Sequence, residues 1–232
     1  MTTGDTNSSS ADVVEKILSS RHSCRGFLDK PVPRPTMDRL LSLAQRTASW
    51  CNTQPWQILI TSGAATERFR SAMEAHATED EARESELEWP SAYRGVYLQR
   101  RRECGFSLFE SVGVSRGDRV GSRRQAQENF RFFGAPHVAI ITTDKALGPY
   151  GAVDCGGYVA TFLLAAESLG IAAIPQAALA GKSPLIRRFF EVDDDRVIVC
   201  GISFGYEDRS HPANGFRTTR AALHEAVRWV DE

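Results

Sequence analysis

Apolar positions along this 232-residue chain alternate between helical and strand spacing. Val13, Val14, Ile17 and Leu18 recur at three- and four-residue intervals within Ala11 to Ser20, and Asp12 suits a first turn, so this stretch predicts an amphipathic helix. A second helix follows Pro33, with Met37, Leu40, Leu41, Leu43 and Ala44 on its inner side. Thr66 to Glu88 is charged and helical in pattern. Tyr93 to Val112 is helical too, Arg-rich with interleaved Tyr97, Leu98, Phe106, Leu108 and Phe109. Asp154 to Leu169 is apolar around most of its circumference, which requires burial by the fold or by a partner subunit, and Gly170 can end it in the left-handed conformation. A short helix is predicted over Ala221 to Trp229. Three apolar runs, Gln57 to Thr61, His137 to Thr142 and Val197 to Phe204, read as buried strands. Strands are few and helices long, so the pattern predicts an α+β fold with one small central sheet surrounded by helices.

Composition narrows the function classes. With 28 basic and 29 acidic residues the net charge is −1, which argues against a protein that grips a nucleic-acid backbone. Only four basic residues are lysines, so few positions could carry Schiff-base chemistry. Met1 to Ser10 is polar, rich in Ser and Thr, and lacks the apolar stretch of a signal peptide; it predicts a disordered tail ahead of a single domain over 11–232. No run of about 18 apolar residues predicts a membrane span. Five dispersed cysteines with no C-x-x-C pair read as reduced thiols in a cytoplasmic protein.

Several chemical signatures are missing: no P-loop, no G-x-G-x-x-G after a strand, no H-E-x-x-H, no G-x-S-x-G, and no metal-ligand spacing among the five histidines. No metal site is therefore expected. Three polar constellations and one small-residue turn stand out instead. Arg21, Ser23 and Arg25 can clamp a phosphate and a neighbouring polar atom, or form a solvated basic loop. Ser49, Trp50, Asn52 and Gln54 precede a strand, and their amides suit either the edge of a heteroaromatic ring or a capped turn. Asn214-Gly215-Phe216-Arg217-Thr218-Thr219-Arg220 offers two more guanidinium groups and two hydroxyls, or a surface linker. After Ile171 to Ile174, the run Pro175, Gln176, Ala177, Ala178 has small side chains that leave backbone N–H groups approachable.

Taken in order, these segments resemble the nitroreductase family of FMN-dependent oxidoreductases, from about Val13 to Trp229. The opening Arg-x-Ser-x-Arg/Lys-x-Phe motif is matched by Arg21-His22-Ser23-Cys24-Arg25-Gly26-Phe27. The Pro-Ser-Ser-x-Asn-x-Gln-Pro-Trp motif is matched by Ala48-Ser49-Trp50-Cys51-Asn52-Thr53-Gln54-Pro55-Trp56. A central helix ending in Leu169-Gly170, the strand end Gly201 to Tyr206 and the closing Arg220 also fit. The Arg-rich segment and Asn129 to Pro136 resemble a bacterial subgroup acting on nitrobenzoates. The family's proline is Ala48 here, its second serine is Trp50, and its basic residue two before the final arginine is Thr218, with Arg217 one position earlier.

The resemblance implies an intertwined homodimer with FMN at the subunit interface and NAD(P)H as electron donor. Arg21, Ser23 and Arg220 would hold the FMN phosphate and nearby ribityl oxygens, with His22 and Arg217 also in the cofactor-binding set. Arg25 would face the pyrimidine carbonyl and favour the negative charge of the reduced ring. Asn52 and Asn129 would hydrogen-bond the ring edge, backbone N–H groups of Ala177 and Ala178 would reach its reducible nitrogen and neighbouring carbonyl, and Ser49, Trp50, Gln54, Pro175 and Gln176 would belong to the cofactor-binding set. No side chain is expected to be catalytic, because the flavin carries the chemistry. The implied activity is ping-pong reduction of small nitroaromatics. The same fold acting on quinones, activated alkenes or halogenated aromatics, or a non-catalytic FMN sensor, stays open at this stage.

Overall fold

A computed structural model of the protein describes residues 9–76 and 84–231. Nine helices and four strands occur among them: α1 (Ser10–Ser20), α2 (Arg34–Ala44), β1 (Gln57–Ser62), α3 (Ala64–His76), α4 (Gly95–Ser111), α5 (Arg119–Gln127), β2 (His137–Asp144), α6 (Gly148–Ser168), β3 (Ala172–Gln176), α7 (Ala177–Ala180), α8 (Ser183–Phe190), β4 (Arg196–Gly205) and α9 (Leu223–Ala226). The strands form one sheet in the order β1-β2-β4-β3, and every neighbouring pair is antiparallel.

The sheet is buried on both faces, because alternate residues of each strand feed two separate cores. Ala139, Ile141, Ile202 and Phe204 pack with Leu40 and Ala44 of α2 and with Tyr158 and Phe162 of α6. Val138, Ile140 and Ile198 pack on the other side with Phe69 of α3, Phe132, Leu179 and Ile186. This two-residue alternation is why the central strands read as unbroken apolar runs.

The predicted α+β architecture is observed, with shifted ends. Residues 1–8 of the predicted tail lie outside the described residues. Ser9 and Ser10 instead start α1: the Ser9 hydroxyl accepts from the Asp12 N–H at 3.1 Å, and the Asp12 carboxylate accepts from the Ser9 N–H at 2.8 Å. The helix predicted over Thr66–Glu88 ends at His76, and 77–83 lie outside the described residues. Beyond them Glu86 is not helical; its carboxylate accepts the Ile198 N–H at 2.7 Å and pairs with Arg187. The helix read from Asp154 begins six residues earlier, at Gly148, with Pro149 in the first turn. The predicted C-terminal helix is only the four-residue α9. Gly170 does end the α6 region with φ +69°. Among the described residues no helix is long and apolar enough to cross a membrane.

Candidate functional site

After α1 the chain cannot continue as helix, because Arg21 takes up extended geometry (φ −60°, ψ 128°). The segment that follows runs along the outer edge of β3, with Ser23 bridged to Ala173 and Phe27 bridged to Glu207. Asn214, nearly fully buried, fastens it. Its side-chain oxygen accepts the Arg25 N–H at 2.6 Å, and its amide donates to the carbonyls of Gly26 and Asp208 at 2.9 and 2.8 Å. The Asn214 carbonyl in turn accepts from the Arg217 guanidinium at 2.7 Å. The two basic motifs, almost two hundred residues apart in sequence, thereby become neighbours. Asn214 was not among the sequence candidates, although it opens the motif that contains Arg217 and Arg220.

Arg25 is half-buried. Its guanidinium donates to the Ser23 carbonyl at 3.4 Å and lies 5.5 Å from the centre of the Phe216 ring. Burial pushes its pKa down, opposed by the nearby Cys104 and Cys24 thiols. Arg220 donates to the Thr218 hydroxyl and the Thr219 carbonyl, both at 2.9 Å. With Arg217 it lines a groove of about 810 Å³ against Arg100 and Cys104 of α4. Arg34, Arg70, Arg100, Arg131, Arg187 and Arg209 each pair with a carboxylate. Arg21, Arg25, Arg217 and Arg220 pair with none among the described residues. Arg25 and Arg217 beside one buried asparagine, with Arg220 in the adjoining groove, make this locus attractive to an anion. His22 faces a different partner: its Nε2 lies 2.9 Å from the Glu207 carboxylate.

The second predicted group hangs from the same strand. Gln176 ends β3, three residues or about 10 Å beyond Ala173. Pro175 and Ala177 are exposed and Ala178 is partly so. Ala177 and Ala178 open α7, where the first N–H groups of a helix lack intrahelical acceptors. The Gln176 side chain points inward, 3% exposed, and is bonded to Asn129 and Ser203.

The third group is elsewhere. Ser49, Trp50, Asn52 and Gln54 precede β1, on the opposite edge of the sheet from β3, about 14 Å across four strands. Both oxygens of Asp154 lie 3.2 Å from the Trp50 N–H, and the Trp50 ring meets Tyr150 edge-on at 4.2 Å. Both partners lie in the first third of α6, whereas the cleft beside His22 is bordered by Glu167 and Gly170 at its far end. Cys51, Asn52 and Gln54 have φ of 49°, 56° and 48°. Three non-glycine residues in the left-handed region within four positions store strain. The loop is held by the Ser49 hydroxyl on the Gln54 N–H (2.9 Å) and by a Gln54–Gln45–Trp56 side-chain relay at 3.1 and 3.0 Å. Within one chain the sheet therefore stands between this loop and the arginine cluster.

The model of the nitroreductase family matches residues 18–206. Nitroreductase NfnB of Mycolicibacterium smegmatis is 34% identical over 223 residues, 94% of this chain and 93% of that protein. A 4-nitrobenzoate reductase of Pseudomonas putida is 32% identical, covering 90% and 92%. The crystal structure of the FMN-dependent nitroreductase NfnB from Mycobacterium smegmatis in complex with NADPH superposes with a TM-score of 0.90 at 33% identity, over 95% of this chain and 99% of that one. With a family match over most of the chain and relatives aligned along nine-tenths of both partners, this chain belongs to the nitroreductase family.

Proposed function

We propose that the protein is an FMN-dependent oxidoreductase that passes electrons from NAD(P)H to small nitroaromatic acceptors by a ping-pong mechanism. The observation that carries this is the grouping of Arg25, Arg217 and Arg220 about Asn214, none of them paired with a carboxylate among the described residues, on the segment that Arg21 and Ser23 open. The donor set fits FMN. Guanidinium groups beside the Ser23, Thr218 and Thr219 hydroxyls match a phosphate and a polyol chain, and the Ala177 and Ala178 N–H groups lie further along β3, where a ring would follow. Bound FMN supplies the hydride chemistry that no side chain here provides.

The protein's own residues bind, orient and tune. Arg21, Arg217 and Arg220 neutralise the phosphate. Arg25, fixed by Asn214 and Phe216 in partly dry surroundings, places a positive charge where reduction adds a negative one. Relatives named as a nitroreductase and a 4-nitrobenzoate reductase support the acceptor class.

The 49–54 loop enters the site from a second copy of the chain, in a homodimer. Two features support that reading. Val153, Gly156, Gly157 and Ala160 leave one face of the otherwise apolar α6 uncovered. Exposed Val13, Val14 and Leu18 of α1 add further apolar surface. Residues 11–232 act as one FMN-binding unit, in the cytoplasm.

The test is an anaerobic absorbance titration of the FMN-loaded protein with NADPH and with NADH, followed by addition of nitrobenzoate or a quinone. The expected outcome is bleaching of the flavin band by a nicotinamide and recovery on adding the nitro compound. A flavin band that neither nucleotide bleaches overturns the assignment as a reductase. Recovery with quinone alone overturns the acceptor class.

A further inference from the structure

We infer that Gln176 is a positioning residue that locks the Asn129 amide, and the backbone at Ala177 and Ala178, into one rigid donor unit facing the flavin ring. The inference rests on the functional reading above, in which those groups border the ring. Gln176 is 3% exposed at the end of β3, and Ser203, fully buried on β4, donates its hydroxyl proton to the Gln176 side-chain oxygen. The Gln176 Nε2 then donates to Asn129 twice, to the carbonyl at 2.9 Å and to Oδ1 at 3.2 Å. A buried primary amide with both ends engaged has one orientation only.

That orientation dictates the polarity of Asn129. Its Oδ1 is taken by Gln176, and one Nδ2 hydrogen goes to the Ala126 carbonyl at 3.0 Å. The second Nδ2 hydrogen has no acceptor among the described residues. Asn129 thus presents a donor, matched to a ring carbonyl or ring nitrogen that gains electron density on reduction. Because Gln176 immediately precedes Ala177, the same anchor fixes where the first N–H groups of α7 emerge. Chain segments 47 residues apart are thereby held in register through one side chain.

The experiment measures the FMN dissociation constant of apoprotein and the two-electron potential of the loaded protein in Asn129→Ala, Gln176→Leu, the double variant and Gln176→Glu. Each single variant is expected to weaken FMN at least tenfold, and the double variant to fall clearly short of the product of the two losses, because part of what Gln176 does runs through the Asn129 side chain. Gln176→Glu keeps the acceptor for Ser203 but turns a carboxylate oxygen toward the Asn129 oxygens. Its FMN affinity is expected to fall at high pH and recover at low pH, when the protonated carboxyl donates in place of the amide. Should Gln176→Leu fail to fold, Ser203→Ala, which releases the far end of the same amide, is measured instead. An unchanged dissociation constant in Asn129→Ala removes Asn129 from the ring and overturns the reading on which the inference rests. A weakened Asn129→Ala with multiplicative losses in the double variant, or with no pH signature in Gln176→Glu, overturns the role of Gln176 alone.

Discussion

Arg25 shows what a single residue's surroundings can do. A guanidinium on the surface is screened and contributes little. Here Asn214 holds its backbone at 2.6 Å, Phe216 covers one side of it, and no carboxylate among the described residues pairs with it. Its field is therefore available to a ligand. Arg25→Ala is expected to make the flavin harder to reduce. If the contact strengthens by about 1.4 kcal/mol on reduction, the two-electron potential falls by about 30 mV, which an anaerobic redox titration against a reference dye resolves. A potential within a few millivolts of the parent protein would count against this role. The motif around Arg25 was legible in the sequence because it is contiguous. Asn214 was not singled out, since its importance depends on which distant backbone group it meets. Gln176 is legible as a site position but not as the link between Asn129 and Ser203, because sequence does not say which way a strand-end side chain points.

Elements were legible where the apolar period was clean. β2 and β4 were read within a residue or two of their ends, because both are buried on both faces and bounded by turns. α5 was missed: its sequence from Arg119 to Gln127 is polar and contains Gly121, and none of its residues is buried. The overlong reading of 66–88 has the same origin, since charged residues fit a helix pattern whether or not the chain follows it. α7 was read only as a turn, and it is placed by a contact rather than by its own four residues. Gly201 of β4 has no side chain, and a Cβ built there would lie 2.4 Å from Leu179 Cδ1 and 3.3 Å from Leu179 Cβ. Gly201→Ala should push α7 away from the sheet, at a cost of about 1–3 kcal/mol in urea unfolding, and weaken FMN binding because Ala177 and Ala178 move with it. Unfolding and FMN binding both matching the parent protein would mean that α7 has room to shift without consequence.

For the whole molecule, two consequences follow. The first concerns the two half-sites. If one flavin is held by Arg220 of one copy and Asn52 of another, Arg220→Ala and Asn52→Ala chains should complement. Mixed and reassembled, they give hybrid dimers with one intact and one doubly altered site, so about a quarter of all sites recover FMN. Recovery no better than the average of the two variants measured separately would place both residues in one chain's site.

The second concerns pH. His137 is fully buried; its Nε2 accepts the Val32 N–H at 2.9 Å and its Nδ1 faces the Thr61 carbonyl at 3.3 Å, so the ring is held neutral. Burial lowers its pKa below the ordinary 6.5, opposed by the Thr61 bond. The unfolded chain therefore binds a proton that the folded chain refuses. This stabilising contribution is complete above pH 6.5 and is lost as pH falls from there toward the folded-state value. Urea midpoints of the parent protein should drop over that window more steeply than those of His137→Gln. Parallel curves would show that His137 titrates alike in both states.

The sequence by itself determined the fold class, the order of the main helices and strands, the family, and the arginine and amide motifs that carry the flavin reading. Those properties are local or periodic, set by side-chain chemistry at short spacing. Tertiary structure decided which motifs meet. The edge of β3 brings Arg21–Arg25, Asn214–Arg217 and Gln176–Ala178 together, while the order β1-β2-β4-β3 puts Ser49–Gln54 on the opposite edge. It also turned Gln176 inward and left Arg25 without a carboxylate partner among the described residues. Such outcomes depend on contacts between residues far apart in the chain, and no local pattern of apolar and polar positions encodes which distant group a side chain will face.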